Sequence, residues 1–365
     1  MIREKRQTPF FKKKLEPIEV RTPKKISELL AEMAKTGFQG RKLGEVVEAW
    51  EEMLKDPDVT IFMGYAGSMS TTGQWKIINW LIENRFIDVL VSTGANISED
   101  IVEAMGHSYW QGSHLVNDKE LLKAGINRYY DVFGKEEDYM EMTELIAEFY
   151  ISSLEENKPY SSRELLFLFG KWLLKRGIMS IVATAAKYKV PIFCPAIVDS
   201  PYGDAGLIVK SKGFSLIIDN MKDYIEFMSL GEKVKDTGVI YIGGGVPKDF
   251  IQLFAVTSNL LYLDRKIPGR EAEAIFRTKD GKLSETYYPH KYAIQITTDL
   301  PQWGGLSGCT FEEAVSWGKK SSKGKHVQCI CDATIALPIV VHALAERVDK
   351  RKRYPDFSWM FENLE

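Results

Sequence analysis

The amino-acid sequence predicts an α/β protein built on a doubly wound, mostly parallel sheet with helices on both faces. Three observations lead there. Short β-branched runs recur along the chain, most of them apolar on both faces, as strands buried between two helical layers must be. Stretches of helical spacing separate them. Most of these runs also lead into clusters of Gly, Ser, Thr and Asp, the composition of loops at the carboxyl edge of such a sheet.

In chain order, residues 1–25 are polar and basic, carry Pro9, Pro17 and Pro23, and read as an arm. Val59–Met63 is the first strand, and Gln74–Asn84 is a helix spaced by Trp75, Ile78 and Leu81. Ile87–Val91 is a second strand, leading through Ser92–Asn96 to a helix over Glu99–Gly106. Pro191–Cys194, Leu216–Asp219, Gly238–Ile242, Ala293–Thr297 and Val327–Cys331 complete the strand series. With no fixed-period repeat and no linker composition, residues 26–365 are expected to form a single large domain. The run Asp349–Arg353 reads as a solvated helix end.

Composition excludes several classes. The 365 residues are 45% hydrophobic and 27% charged, the balance of a globular chain with a large core. Lys and Arg number 48 against 50 Asp and Glu, so a globally basic nucleic-acid binder is disfavoured. No apolar run approaches the roughly 20 residues of a membrane span, and the basic start lacks the apolar core of a secretory leader. Cys194, Cys309, Cys329 and Cys331 form no CxxC pair, so free thiols in a reducing cytoplasm are expected and no metal site is.

The chemistry is expected at the strand ends. Gly64–Gly73, Ser92–Asn96, Gly243–Pro247, Thr297–Asp299 and Asp332–Thr334 each place small or hydroxyl residues where backbone N–H groups can approach a phosphate. Any one is ordinary turn chemistry; five along one edge suggest a dinucleotide across several strands. The GxGxxG fingerprint is absent, since Lys248 stands at its third glycine. Acidic residues beside these loops (Glu99, Asp199, Asp204, Asp299, Glu313 and Asp332) would attract an extended polycation. In Glu312–Lys319 a lysine follows a tryptophan. A neutral lysine attacks an imine carbon, and Trp317 could wall Lys319 or hold a cation by its π face. Lys320, next to it, reads as solvated surface. His107 and His114 read as structural or exposed, and no GxSxG nucleophile motif is present.

The segment Glu313–Lys319, EAVSWGK, resembles the lysine motif of the deoxyhypusine synthase family. Val91–Asp100, Lys123–Arg128, Phe193–Asp204, Ile242–Lys248 and Asp332–Thr334 extend the resemblance over roughly residues 40 to 348. The family implies a Rossmann-like core, bound NAD, and a homotetramer with active sites shared between subunits. Its reaction moves the aminobutyl group of spermidine onto a lysine as an imine, releasing 1,3-diaminopropane, and then to an acceptor amine. Lys319 matches the covalent lysine. Gly67, Ser68, Thr71, Thr93, Gly94, Ala95, Glu99, Asp199, Thr298, Asp299, Asp332 and Ala333 fall where the family contacts NAD. Ser98, Glu99, Asp204, Gly244, Glu313 and Trp317 fall where it contacts spermidine, and Asp249 lies among them.

The departures cluster. A family histidine falls on Asp249, an asparagine on Leu253 and a tyrosine on Gln295. A Gly-Ser-Asp run with an acid before it is replaced by Trp303–Leu306, and Asp299 replaces a small residue. The implied partners are therefore a polyamine, further copies of the chain, and as acceptor either the lysine of a hypusine-type translation factor or a small diamine such as putrescine, as in homospermidine synthases. Nucleic acid and membrane are not expected partners. A non-catalytic NAD or polyamine binder is the remaining reading; the presence of Lys319 weighs against it.

Overall fold

The computed structural model describes residues 12–364. Residues 1–11 of the expected arm lie outside the described residues. Residues 12–25 run largely exposed along the surface, tied down by the ion pairs Glu16–Lys35 (2.6 Å) and Lys24–Glu32 (2.5 Å).

The central sheet has six strands: β1 (Val59–Tyr65), β2 (Val89–Ser92), β3 (Ile192–Phe193), β4 (Asp236–Ile242), β5 (His290–Thr297) and β6 (Lys320–Ile330). All neighbours are parallel and the order across the sheet is β6-β5-β4-β1-β2-β3. Read from the far edge this is the 3-2-1-4-5-6 order of a doubly wound sheet, with its switch point between β1 and β4.

Strand alternation explains the two helical layers. Ile61, Met63 and Tyr65 of β1 join Ile240, Ile294 and Val327 in one core. That core is closed by Trp50 of α1 (Phe38–Lys55), Ile78 and Leu81 of α2 (Trp75–Glu83), and residues of α3 (Glu136–Ser153), α4 (Ser162–Lys175) and α5 (Pro201–Ser211). Phe62, Val89, Val239 and Tyr241 face the opposite core, with Phe227 of α6 (Asn220–Ser229), Ile251 and Phe254 of α7 (Gly245–Thr257), and Phe311 of α8 (Phe311–Ser316). Val340 and Leu344 of α9 (Ala333–Arg347) return to the first core. Each fully buried large apolar side chain stabilises by about 1.5–3 kcal/mol, so strand phase is firmly set. Local signals agree with the packing: α4 opens on a complete Ser161–Glu164 capping box.

Three features differ from the sequence reading. Leu216–Asp219 is not a strand of the main sheet; Ile217–Ile218, half exposed, pairs only with Pro159–Tyr160. Asp349–Arg353 is not a solvated helix end. α9 stops at Arg347, and Arg351, 3% exposed, pairs with Asp88 (2.8 Å) and donates to the Val59 carbonyl (2.6 Å), pinning the C-terminal segment under β1. A small antiparallel sheet over Trp110–Gln111, Ile126–Tyr129 and Val132–Lys135 was also unpredicted, because its strands are polar and only partly buried. Among the described residues no helix is long and apolar enough to cross a membrane.

Candidate active site

Parallel strands deliver their loops to one edge, and a crevice opens where the winding reverses. Here the loops after β1 and β2 are locked together by Asn96. Its side chain accepts from the Met69 N–H (2.7 Å) and donates to the Tyr65 carbonyl (3.2 Å), while its own carbonyl accepts from the Ser70 hydroxyl (2.6 Å). Thr93 bonds to the Gly67 carbonyl (2.7 Å), Thr71 to that of Ser68 (2.9 Å), and Ser98 to that of Gly94 (2.9 Å). Gly94 must be glycine, because a Cβ there would sit 2.2 Å from Ser200 Oγ. Gly67, at φ +85°, leaves its outer face open. Ala95 lies half-buried in the same loop.

Around the rim, Asp199, Thr298, Asp299 and Asp332 are exposed. Asp332 caps α9, accepting from the Thr334 N–H (2.7 Å), and Ala333 is the first residue of that helix. The edge is thus open, lined by small residues whose backbone N–H groups can approach a phosphate, with exposed acidic side chains around it.

Beyond β2 lie two of the carboxylates expected from the sequence to meet an amine. Glu99 is only 5% exposed and accepts from the Ser68 hydroxyl; burial pushes its carboxyl up to about 7, against the lowering effect of that bond. Asp204, exposed in the first turn of α5, accepts from Tyr139 (3.4 Å).

The lysine motif forms a second group of residues. Thr310 caps α8 by accepting from the Glu313 N–H (3.1 Å), and the helix ends at Trp317. Gly318, at φ +72°, turns the chain into Lys319 just before β6. Lys319 Nζ reaches Asp249 Oδ1 on α7 (3.1 Å) and lies 4.9 Å from the Trp317 ring centre, with its side chain 12% exposed. Gly244 touches this region: a Cβ on it would stand 2.5 Å from the Ser307 backbone. Glu313 and Trp317 remain on the exposed side.

Lys320 is not solvated. It is 1% exposed, donates to the Tyr241 hydroxyl (3.0 Å) and lies over the Tyr241 and Phe311 rings. Burial, reinforced by Lys248 and Lys319, depresses its pKa strongly. A bulge explains the misreading: Lys320 opposes His290 but the next pair is Tyr292–Lys325, so β6 enters the sheet out of simple alternation.

The sequence marks Lys248 as a missing glycine and as the end of the Ile242–Lys248 segment, with no role of its own. It is fully buried, bonded to Gln295 Oε1 (2.9 Å) and to the carbonyls of Leu306 (2.9 Å) and Cys309 (3.1 Å); burial lowers its pKa to about 8. Gln295 Nε2 donates to the Gly243 (2.8 Å) and Ser307 (2.7 Å) carbonyls, and Gln328 joins both to Cys309. This knot anchors the 300–310 loop to the ends of β4, β5 and β6. Three tyrosines near Glu99, at 109, 129 and 139, were also missed, since no spacing marks residues drawn from three different elements.

A family model described as deoxyhypusine synthase matches residues 28–344. A protein of Methanosarcina mazei named probable deoxyhypusine synthase 2 is 47% identical over 94% of this chain and 93% of its own length. One of the same name from Archaeoglobus fulgidus is 48% identical over 89% of this chain and 99% of its own. The copies named probable deoxyhypusine synthase 1 in these two organisms are 36% and 37% identical. Among solved structures, one from Entamoeba histolytica provisionally assigned as a deoxyhypusine synthase shares the fold at a TM-score of 0.58 and 19% identity, covering 93% of this chain and 99% of that one. On this evidence the chain belongs to the deoxyhypusine synthase family.

Proposed function

We propose that this protein transfers the aminobutyl group of spermidine, or a related polyamine, through an imine on Lys319 to an acceptor amine, using NAD. The observation that carries the reading is the setting of Lys319: a largely enclosed amine between the Trp317 ring and the Asp249 carboxylate. The neutral amine is the nucleophile, and Asp249 Oδ1, 3.1 Å away, accepts from Lys319 Nζ and holds the side chain in position. Glu99 and Asp204 hold ammonium groups of the donor, and Glu313, exposed on the helix that leads to the lysine, adds a third carboxylate. Gly67–Thr71, Thr93–Ala95, Asp299 and Asp332 would hold NAD, which supplies hydride acceptance and return when bound.

Imine chemistry needs water excluded. Trp317, Glu313 and Asp204 are exposed in the single chain, which supports a homo-oligomer, a tetramer by family analogy, in which a second copy covers the site. The described cysteines are free, in keeping with a cytoplasmic enzyme.

A small diamine is the second reading for the acceptor. It is favoured by Asp249, a carboxylate beside the attacking amine that can hold a short ammonium. The test is incubation with spermidine, NAD and either putrescine or a hypusine-type translation factor, with products identified by mass spectrometry. Release of 1,3-diaminopropane with one labelled acceptor is expected. No release with either acceptor refutes the reading.

A further inference from the structure

Glu99 and Asp204 are walled by aromatic residues that no family motif in the sequence marked. Tyr109 donates to the Glu99 backbone carbonyl (3.1 Å), Tyr139 donates to Asp204 Oδ2 (3.4 Å), and the Tyr109 and Tyr129 rings meet edge to face at 6.1 Å and 88°. Tyr109 lies just before the small antiparallel sheet, Tyr129 ends one of its strands, and Tyr139 belongs to α3. Burial and then the Glu99 charge push the Tyr129 phenol up to about 12; Tyr109 and Tyr139 are raised too, by burial and then by Glu99 and Asp204 respectively. The three phenols thus share one acidic slot.

Near the catalytic lysine, Trp317, Tyr241 and Phe311 each already have a lysine over the ring. Among the described residues no lysine or arginine pairs with Glu99 or lies over these three tyrosines. A buried carboxylate beside unused π faces is short of a cation, and a cation between tyrosine rings gains from the ring quadrupoles as well as from the charge.

We propose that Tyr129, with Tyr109 and Tyr139, forms an aromatic wall that selects the distal ammonium of an aliphatic polyamine against Glu99 and Asp204, and so sets donor specificity. This rests on the transfer reading above and adds to it a residue that touches the donor but not the reacting carbon. Tyr129 is the informative position, because the Tyr109 and Tyr139 phenols donate hydrogen bonds to Glu99 and Asp204, whereas among the described residues the Tyr129 phenol bonds to neither.

The test is calorimetric titration of the full-length protein with spermidine and, separately, with NAD, for the parent, Tyr129→Leu and Tyr129→Phe. Tyr129→Leu is expected to raise the spermidine Kd roughly tenfold, Tyr129→Phe to stay within about twofold of the parent, and the NAD Kd to hold in all three. In turnover the leucine variant shows a raised KM at unchanged kcat. Equal spermidine Kd in all three overturns the proposal, as does equal weakening in both variants, which would assign the effect to the hydroxyl. A parent that binds NAD but no polyamine overturns the transfer reading as well. If Tyr129→Leu fails to bind NAD, Tyr139→Leu set against Tyr139→Phe on α3 gives the comparison in another element: both lose the bond to Asp204, a higher spermidine Kd for the leucine variant is expected, and equal Kd in the two overturns the proposal.

Discussion

The two groups of residues behind this reading are built on opposite principles. Around Lys319 every cation has its partner: Lys319 has Asp249, Lys248 has carbonyls and Gln295, and Lys320 has Tyr241 between two rings. Around Glu99 a carboxylate is buried beside hydroxyls with no cation among the described residues. A satisfied polar network rigidifies, whereas a buried charge without a counter-charge costs stability until a ligand supplies one. On the proposed function, the lysine side would be a prebuilt tool and the acidic side a receptor.

The largest effect that would break this comparison comes from Lys319→Arg. Arginine keeps the positive charge beside Asp249 but has no accessible neutral amine, so it cannot form an imine. Aminobutyl transfer should fall at least a thousandfold (~4 kcal/mol at the barrier) while NAD and spermidine still bind. Borohydride reduction in the presence of spermidine and NAD should attach the four-carbon fragment to the parent and leave the variant unlabelled. Turnover by the variant at the parent rate would remove the lysine side from the mechanism.

A smaller, signed pair of effects sharpens it. Lys248→Met leaves buried carbonyls of Leu306 and Cys309 short of a donor and should cost about 3 kcal/mol. Glu99→Gln removes a desolvated charge and should stabilise the ligand-free protein at pH 8, on the order of 2 kcal/mol, while weakening polyamine binding. Both are read as shifts of the denaturant midpoint at constant slope. The same sign for both would mean that the two groups are not built differently.

The sequence was most legible where burial on both faces made it continuously apolar. Val59–Met63, Gly238–Ile242 and Ala293–Thr297 announce themselves because both faces of each strand must be apolar, and their Gly/Ser/Thr loops follow from the direction of a parallel sheet; the first strand runs on to Tyr65. The site was legible in sequence only where a short motif holds its own residues together, as in Glu313–Lys319. Lys320 was misread because a bulge, invisible in composition, turned it inward. Arg351 was misread because its partner, Asp88, lies 263 positions away. The tyrosine wall and the Lys248–Gln295 knot are likewise products of tertiary contact, and each residue alone resembles ordinary surface or core.

The smallest expected effect is a proton count. Glu99 has its carboxyl raised by burial to about 7 in the folded protein, against an ordinary 4.5. The folded state therefore binds more protons than the unfolded one between those values, so this group makes stability fall as pH rises from about 4.5 to about 7. Asp100 and Asp223, also raised by burial to about 7, tilt stability the same way from 3.8 upward. Only Glu99 borders the acidic slot, so a polyamine should favour its ionised form and expel its proton. At pH 7 spermidine binding should release about half a proton, read from the dependence of calorimetric heat on buffer ionisation. Glu99→Gln should abolish that release and leave the stability slope due to Asp100 and Asp223 in place. An undiminished release from the glutamine variant would show that the ligand's charge is met elsewhere, and that the acidic slot is not the receptor.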